Sequence, residues 1–550
     1  MCYTCFIKLT FRKDGERTMS LSKTRSIEIP LTMDSFETAD TFIEQWLAQN
    51  RFSKDNITET KLLFEALFRD IIEQGFDQDT TLTIKAQRTF GEYNIKFGFE
   101  GKSYVPVEKN KDKISPELRI VQAYHDKISY RYRSGYNSIR VVVKRNYRSS
   151  LLYCMIGIAL AILVYLLISS MTSADRMVEI DKSYVTPLMN QFANAMLMVG
   201  APVTFFSLVK NLTDIYIVSE KSSSDRKLQI KTIVTSLIAV FLAIATSFLI
   251  AFLLSHRRGY LEGQEAFKGG MTATQFISSL LPSSIFEPFE TYLPFPIIIV
   301  ALLTTYAFCS IGEYFDVMQK GVNVCLTFFS KMLNVVMFTL PFFCSLAILS
   351  SLLTNGFTNL IVVVEFVVVV FLSLIVMAAF YLIRLLIGGV RIVPFIKKFP
   401  PLLWENYKIN SAIDALPFNI RYCSREYGFN RKRISAKLPI LAQTNQDGNC
   451  YLIMIISMLF IYMLGINVSL LQIIGIAVLV LFLSIGAPNQ PGSILIGMLI
   501  ITFYLQAKEL ILVAIYAEVF FGALQNAINV VGDIVTVAIE EQKYKNVLET

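Results

Sequence analysis

Residues Pro439–Cys450 read PILAQTNQDGNC, a cluster of amides with one carboxylate, Asp447. The sixty residues that follow Asp447 contain no Asp, Glu, Lys or Arg. Unpaired polar groups are costly inside a bilayer, so such a cluster needs internal partners or a ligand. Gly448 permits an unwound backbone, whose free carbonyls could join Asn445 and Asp447 as ligands of a hard cation. The alternative is a surface loop, because Asn-Gln-Asp-Gly is also good turn chemistry.

The composition around this cluster is that of a membrane protein. The 550-residue chain is 54% hydrophobic and 17% charged, and its mean hydropathy is +0.51. These values indicate a polytopic α-helical membrane protein with a soluble part. A spanning helix needs about 20 apolar residues. Two or three spans fit between residues 448 and 532, and the other charge-free runs are 149–174, 184–209, 232–255, 291–312, 332–364 and 366–383.

Charge and histidine content exclude several function classes. No basic patch interleaved with aromatic residues stands out, so the net charge of +8 is interpreted as an orientation signal, and no nucleic-acid partner is expected. The chain has only two histidines, which gives histidine-based catalysis little to work with. We therefore expect no enzymatic activity.

The segment before the first apolar run predicts a soluble α/β sandwich domain at residues 26–147, after an N-terminal extension at 1–25. Residues 61–76 have helical periodicity, TLTIKAQ and EYNIKFGFEG alternate as half-buried strands do, and residues 117–145 read as helix, strand, glycine turn, strand. Lys144, Arg145 and Arg148 precede the first span, which predicts a cytoplasmic domain.

This segment resembles the anti-sigma-factor kinases of the GHKL ATPase superfamily, chiefly in its C-terminal helix and strands. The ATP chemistry of that family is missing. Arg69 stands where the family has its magnesium-ligating Asn, GFEGKS at 98–103 lacks the lid aspartate, and KISPEL at 113–118 lacks the glycines. Glu65 is interpreted as an ordinary surface carboxylate. The resemblance therefore implies a degenerate, non-catalytic domain that binds no ATP and regulates the chain or contacts a cytoplasmic protein partner.

Three further polar segments interrupt the apolar half. SIGAPNQPGS at 484–493 cannot continue a helix and predicts a re-entrant hairpin. NSAIDALP at 410–417 is a second interrupted segment, and such pairs mark the binding sites of secondary transporters. LQNAINVVGD at 524–533 places Asn529 and Asp533 on one helix face. This last segment is either an intramembrane site or a helix that emerges into water.

The order and spacing of these motifs resemble the dicarboxylate/amino acid:cation symporter family, which has the glutamate-transporter fold. KLPILAQTNQDGN, LSIGAPNQPG and NAINVVGD correspond to its seventh span, second hairpin and eighth span, and MLMVGAPVTFFSLVKNL at 196–212 to its second span. The resemblance implies eight spans and two re-entrant hairpins within 148–545. It further implies Na⁺ ligation by side chains and by hairpin and span carbonyls, from Thr235, Ser236, Leu441, Asn445, Asp447, Ser484, Ile485, Ala487, Asn529 and Asp533.

The same resemblance implies the position of the substrate and shows how this chain departs from the family. The family's eighth-span Asp and Arg, which hold the substrate's amino group and second carboxylate, are here Gly522 and Gln525, and its seventh-span Thr is Asn449. Acidic amino acids are therefore unfavoured substrates. The acids left to meet a cationic group or a proton are Asp414 and Glu518. The implied substrate residues are Ser411, Asp414, Asn449, Gln490, Pro491, Gly492, Gly522, Gln525, Asn526 and Asn529.

Together these features predict a homotrimeric symporter of the bacterial inner membrane. It would couple Na⁺ or H⁺ to the uptake of a small organic solute, a neutral amino acid or a carboxylate, by elevator-type alternating access. The alternative is a membrane sensor that signals through the kinase-like domain. An ATP-driven pump is disfavoured by the missing nucleotide motifs.

Overall fold

The structure is a computed structural model that divides into two compact units. The first is built from parts of residues 25–52, 71–104 and 128–143, and the second contains residues 54–70 and the helical remainder from 150. The residues described are 25–50, 52, 54–76, 80–89, 92–104, 121, 128–143, 150–253, 281–292, 294–463, 468–486, 492–505 and 510–549.

The first unit holds a five-stranded antiparallel sheet in the order β1-β2-β3-β5-β4. The predicted strands are confirmed, and residues 61–76 lie in a helix that begins earlier and ends at Glu73. The elements of the N-terminal region are β1 Arg25–Pro30, α1 Phe36–Gln49, α2 Lys54–Glu73, β2 Thr81–Thr89, β3 Glu92–Glu100, β4 Ile128–Arg133 and β5 Tyr136–Val143.

Alternation along the strands builds one apolar face. Leu82, Ile84 and Ala86 of β2 are fully buried, and Phe97 of β3 pairs in register with Ile139 of β5. The turn from β4 to β5 uses Ser134 and Gly135, both with positive φ, as two-residue hairpin turns of this kind require. The predicted helix at 117–127 and the KISPEL segment lie outside the described residues, except Val121.

On α2, Arg69 donates to Glu65 across one helical turn at 3.1 Å. An intrahelical ion pair thus occupies the two positions that would correspond to the family's glutamate and magnesium ligand.

The described residues of the second unit are mostly helical. Its helices are α3 Ser150–Met171, α4 Ala174–Ile180, α5 Thr186–Lys221, α6 Ser223–Leu253, α7 Glu287–Thr291, α8 Pro294–Ser310, α9 Phe315–Phe338, α10 Leu340–Asn355, α11 Phe357–Ile387, α12 Ile392–Lys397, α13 Phe399–Ile409, α14 Leu416–Glu426, α15 Arg431–Thr444, α16 Asp447–Met463, α17 Leu470–Ile485, α18 Ser493–Leu505 and α19 Leu510–Glu549.

Helix length and hydropathy make the chain a multi-pass membrane protein. In the described part of the chain, seven helical segments are long and apolar enough to cross a bilayer: Leu152–Met171, Ala174–Ile217, Ser223–Leu253, Val317–Phe338, Val363–Ile387, Arg431–Met463 and Val513–Tyr544. The segment Ala174–Ile217 joins α4 and α5 through a π-helical turn at Asp181–Val185. Eight spans and two re-entrant hairpins stay predictions.

One expected span is wrong as drawn. The charge-free run 332–364 is not a single helix, because α9 ends at Phe338, α10 ends at Asn355 and α11 begins at Phe357. Gly356 separates α10 from α11 with a φ of +60°, a conformation that favours glycine. A charge-free run does not reveal such breaks, because hydropathy depends on side-chain polarity and not on backbone conformation.

The polar segments predicted to interrupt helices do so. Asn410–Ala415 separates α13 from α14, and Asn410 adopts a left-handed conformation with φ +53°. The two arms are joined by a reciprocal amide pair, in which Asn406 and Asn419 each donate to the other at 2.8 and 2.9 Å. Helix α17 ends at Ile485 and α18 begins at Ser493, with residues 487–491 outside the described range.

Candidate functional site

The candidate site is centred on the break between α15 and α16. Helix α15 ends at Thr444, Asn445 is extended with φ −82° and ψ 122°, and Asp447 opens α16. All three residues are buried, which contradicts the alternative of a surface turn. A carboxylate in the first turn of a helix is favoured by the helix dipole, so the sequence Asn-Gln-Asp-Gly stabilises the restart of the helix as well as the break.

Side chains from α6 and α11 meet the carboxylate of Asp447. Its Oδ1 accepts from Ser236 Oγ of α6 at 3.0 Å, and its Oδ2 accepts from Tyr381 OH of α11 at 3.3 Å. The guanidinium of Arg384, one turn beyond Tyr381, lies 3.8 Å from the same Oδ2. The carboxylate is wholly buried (0% exposed), so these contacts are its compensation for lost water.

The break is tied to α19 by two hydrogen bonds. Asn445 Nδ2 donates to the backbone oxygen of Asn529 at 2.8 Å, and the Gly448 N–H donates to Asn529 Oδ1 at 2.7 Å. Asn445 also lies within hydrogen-bonding reach of Asp533. The four residues that the sequence predicted as ion ligands, Asn445, Asp447, Asn529 and Asp533, are therefore brought together.

Within the described part of the chain, this cluster contains buried oxygens that accept no hydrogen bond. Asn445 Oδ1 and Asp533 Oδ1 have no partner among the described residues, although both side chains are only 2% exposed. A buried unsatisfied acceptor costs about 1–3 kcal/mol, and more when it is charged. Oxygen ligands of this kind suit a hard cation. The described residues contain no group of three or more His, Cys, Asp or Glu side chains that could hold a metal ion.

The hydroxyl residues of α6 reach the same place. Thr232 Oγ1 donates to Thr444 Oγ1 at 3.2 Å, which joins α6 to the end of α15. Thr235 Oγ1 donates to the Thr232 carbonyl at 2.8 Å, leaving lone pairs on its oxygen. Both predicted ligands from this helix lie within hydrogen-bonding reach of Asp447, and the Ser236 hydroxyl donates to it at 3.0 Å.

The carbonyl ligands predicted in the second hairpin are only partly described. Ser484 is fully buried, and its Oγ lacks a hydrogen-bond partner in the part of the chain that the structure covers. The Ile485 carbonyl accepts from Asn211 Nδ2 of α5 at 2.6 Å. Ala487, Gln490 and Pro491 lie outside the described residues. In α15, the Leu441 carbonyl accepts the Asn445 N–H at 2.8 Å.

Tyr381 and Arg384 were missed by the sequence reasoning. The sequence predicts a span over the charge-free run 366–383, which ends immediately before Arg384. The family's third-span tyrosine is here Thr232, and a tyrosine hydroxyl reaches the cluster from α11 instead. A lone Tyr and Arg one turn apart at the end of an apolar run was the available signal.

The residues predicted to bind substrate lie around α19. Asn526 Nδ2 donates to Asn410 Oδ1 at 2.8 Å, so it holds the turn before Ser411. Within that turn the Asp414 N–H donates to Ser411 Oγ at 3.2 Å, and the Asp414 side chain is partly exposed. Gln525 is fully buried, and its Nε2 donates to Ser493 Oγ of α18.

A chain of hydrogen-bonded amides fixes the orientation of the Asn449 side-chain amide. The Gly448 N–H can only donate, so Asn529 presents Oδ1 to it and Nδ2 to Gln446 Oε1 at 3.4 Å. Gln446 Oε1 also accepts from Asn449 Nδ2 at 2.6 Å. Asn449 Oδ1 is then left as an acceptor with no partner among the described residues, so this buried position can take a hydrogen-bond donor.

Glu518 holds the start of α18. Its Oε1 accepts the Gly492 N–H at 2.9 Å and its Oε2 the Leu495 N–H at 3.1 Å. A Cβ on Gly522 would lie 2.5 Å from Glu518 Oε1. The carboxylate therefore occupies the space of a side chain at position 522. The family's aspartate at this position is absent, and an acid one helical turn earlier lies in its place.

The break before α16 and the asparagine-aspartate pairs lie in the part of the chain that one family of known proteins matches. The family model described as Sodium:dicarboxylate symporter family matches residues 151–542. The chain belongs to this family. Membership of this family makes it a membrane symporter, which is a transporter and not a class of enzyme. The resemblance of its motifs to the symporter family is confirmed. No curated protein is a significant match to the chain. The match leaves out the N-terminal unit, whose kinase-like identity stays a prediction.

Proposed function

We propose that the chain is a Na⁺-coupled symporter of a small solute with one amino group and at most one free carboxylate. The observation that carries the ion assignment is a pair of buried oxygens beside Asp447, Asn445 Oδ1 and Asp533 Oδ1, which accept no hydrogen bond from the described residues. Na⁺ among these oxygens, with Thr235, Ser236 and Asn529 nearby, would remove the cost of their burial. H⁺ coupling is the alternative, in which the carboxylates are protonated instead.

The substrate class follows from the charges around α18 and α19. In the family that the motifs resemble, an arginine recognises the second carboxylate of the substrate. At the same position this chain has Gln525, whose side chain offers a neutral amide. The N–H groups of Gly492 and Leu495, which could otherwise attract an anion, already face Glu518. A second substrate carboxylate would thus meet a carboxylate instead of a guanidinium, which disfavours dicarboxylates.

Glu518 and Asn449 would instead recognise the amino group. Each oxygen of a carboxylate has more than one lone pair, so Glu518 can keep its backbone partners and accept from an ammonium group. Asn449 Oδ1 is an unpartnered acceptor among the described residues. The carboxylate of the substrate would be met by Asn529, Ser411 and hairpin N–H groups other than those of Gly492 and Leu495, which Glu518 already accepts.

The transport cycle is part of the same proposal. Eight spans, two re-entrant hairpins, a trimeric scaffold and an elevator-type movement of the two hairpins with α15, α16 and α19 are supported by family membership and by the order of the motifs. Residues 148–545 would form the transporter, and residues 26–147 a cytoplasmic regulatory domain in a bacterial inner membrane. The basic residues before α3 support that orientation.

Uptake by the purified full-length protein in proteoliposomes tests the proposal. We expect uptake of a small neutral amino acid under an inward Na⁺ gradient and none when choline replaces Na⁺. Asp447→Asn should abolish the coupled uptake but leave folding and oligomer size unchanged, because it removes the main countercharge of the cation. Uptake that follows a proton gradient alone would favour H⁺ coupling. A Na⁺ dependence of Asp447→Asn equal to that of the wild type would contradict the ion site.

A further inference from the structure

Arg384 lies in the last turn of α11 and points its charge at the candidate ion site. The guanidinium is 3.8 Å from Asp447 Oδ2, and its Nη2 donates to Thr536 Oγ1 of α19 at 2.8 Å. The side chain is only 11% exposed. The rings of Phe380 and Tyr381 lie 5.5 and 6.0 Å from its Cζ. The cation is therefore held between α11 and α19 at the edge of the cluster.

The geometry is not that of an arginine clamped to its carboxylate. The contact with Asp447 is single and long, and Arg384 Nη1 has no hydrogen-bond partner in the described structure. A structural arginine-carboxylate pair is usually bidentate, with N···O distances near 2.8 Å. The same molecule contains such a pair, since Arg433 donates to both oxygens of Glu541 at 2.6 and 2.7 Å. Arg384 is thus placed to act on the cluster by charge without a direct hydrogen bond to the carboxylate oxygens.

The net charge of the cluster determines how many mobile cations are needed to neutralise it. The proposed Na⁺ coupling requires Asp447 and Asp533 to bind the ion as carboxylates, which places two negative charges in a buried site, and the guanidinium of Arg384 adds one positive charge beside them. Nearby lysines are engaged elsewhere, because Lys231 and Lys437 pair with Glu540 at 2.9 and 3.5 Å. With Arg384 the cluster has a net charge of −1 instead of −2. Fewer mobile cations are then needed to neutralise it.

We propose that Arg384 is a built-in cation that takes the place of one coupling ion. The inference rests on the proposed Na⁺ coupling and specifies its stoichiometry: the chain moves one Na⁺ fewer per substrate than the same site would without the arginine. Arg384 does not contact substrate in this proposal. It sets how many ions the two carboxylates bind.

Variants at position 384 test the proposal. Arg384→Gln removes the charge, Arg384→Lys keeps it, and Arg391→Gln removes an exposed arginine seven residues further along as a matched control. The number of ions per substrate is measured from the substrate gradient that balances a set Na⁺ gradient in proteoliposomes at zero voltage. We expect one additional Na⁺ for Arg384→Gln and the wild-type number for Arg384→Lys and Arg391→Gln. With a tenfold Na⁺ gradient, one added ion gives tenfold more substrate accumulation.

A second readout does not depend on transport. Na⁺ titration of the apparent Tm of the purified protein should be steeper for Arg384→Gln, with tighter apparent binding, because repulsion of the incoming ion is removed. If Arg384→Gln does not fold, Arg384→Met fills the same space with an apolar chain and has the same expected result.

The outcomes separate the two proposals. A wild-type protein that is neither stabilised by Na⁺ nor driven by a Na⁺ gradient overturns the proposed function. A wild-type protein that responds to Na⁺, together with folded Gln or Met variants that keep its stoichiometry and titration, overturns the role of Arg384 alone. An equal change in the Lys and Gln variants would show that shape, and not charge, matters at this position.

Discussion

Gly532 is the point where α19 passes closest to the polar cluster, and Gly532→Ala tests how tightly that cluster is assembled. A Cβ at this position would lie 2.5 Å from Asn445 Nδ2, 2.7 Å from Asp447 Oδ2 and 3.1 Å from Tyr381 OH. The first two distances fall roughly 0.7–0.9 Å short of an ordinary contact of about 3.4 Å. Asn445, Asp447 or the helix itself must therefore move by a substantial fraction of an ångström.

The magnitude follows from the packing. Inserting a methyl group into a filled core typically costs about 1–3 kcal/mol. Ion and ligand sites need their groups held within about 0.5 Å, so a shift of this size should weaken Na⁺ binding by about tenfold or more, equivalent to about 1.4 kcal/mol. Both consequences come from one methyl group that bears no charge and removes no ligand.

Gly321→Ala is the matched control. Gly321 lies on α9, and a Cβ there would have no heavy atom within 4 Å. Alanine in an open helical position is favoured over glycine by up to about 1 kcal/mol. We therefore expect an apparent Tm equal to or above that of the wild type, and an unchanged Na⁺ titration.

The assay is the Na⁺ dependence of the apparent Tm of purified protein in detergent, followed by uptake in proteoliposomes. The reasoning predicts a lower Tm without Na⁺ and a weaker Na⁺ response for Gly532→Ala. If Gly532→Ala matched Gly321→Ala in both measurements, the close contact of α19 with Asn445 and Asp447 would be refuted. A loss of Tm with an unchanged Na⁺ response would leave the packing argument intact but separate it from ion binding.

Three further outcomes are expected. Asp533→Asn should weaken Na⁺ affinity while the protein stays folded, because a buried oxygen that lacks a donor loses its charge; a normal sodium titration would count against this ligand. In competition uptake, aspartate and succinate should inhibit the wild type poorly, and Gln525→Arg should raise their inhibition by supplying the missing guanidinium; strong inhibition of the wild type would show that another cation recognises the second carboxylate. The full-length protein should show no Mg²⁺-dependent ATP turnover, because Arg69 pairs with Glu65 where a magnesium ligand would be needed; measurable turnover would contradict the degenerate domain.

Sequence alone was enough for the features whose signal is local. Long charge-free runs predict spans, alternation predicts the strands β2 and β3, and Gly448 beside amides predicts the break before α16. The residues Asn529 and Asp533 are four apart, so helical geometry alone puts them on one face. Family motifs then place Asn445 and Asp447 against them. These inferences use short stretches of chain, in which residue order already determines geometry.

The tertiary structure was needed for contacts between distant parts of the chain. Tyr381 and Arg384 reach Asp447 across more than sixty residues, and Glu518 of α19 accepts the Gly492 N–H immediately before α18. A single polar residue in an apolar helix has no periodic pattern, so the sequence records its presence but not the side on which it finds a partner. That side depends on how the helices pack, and in a membrane the packing decides which buried charges are neutralised by protein and which are left for an ion.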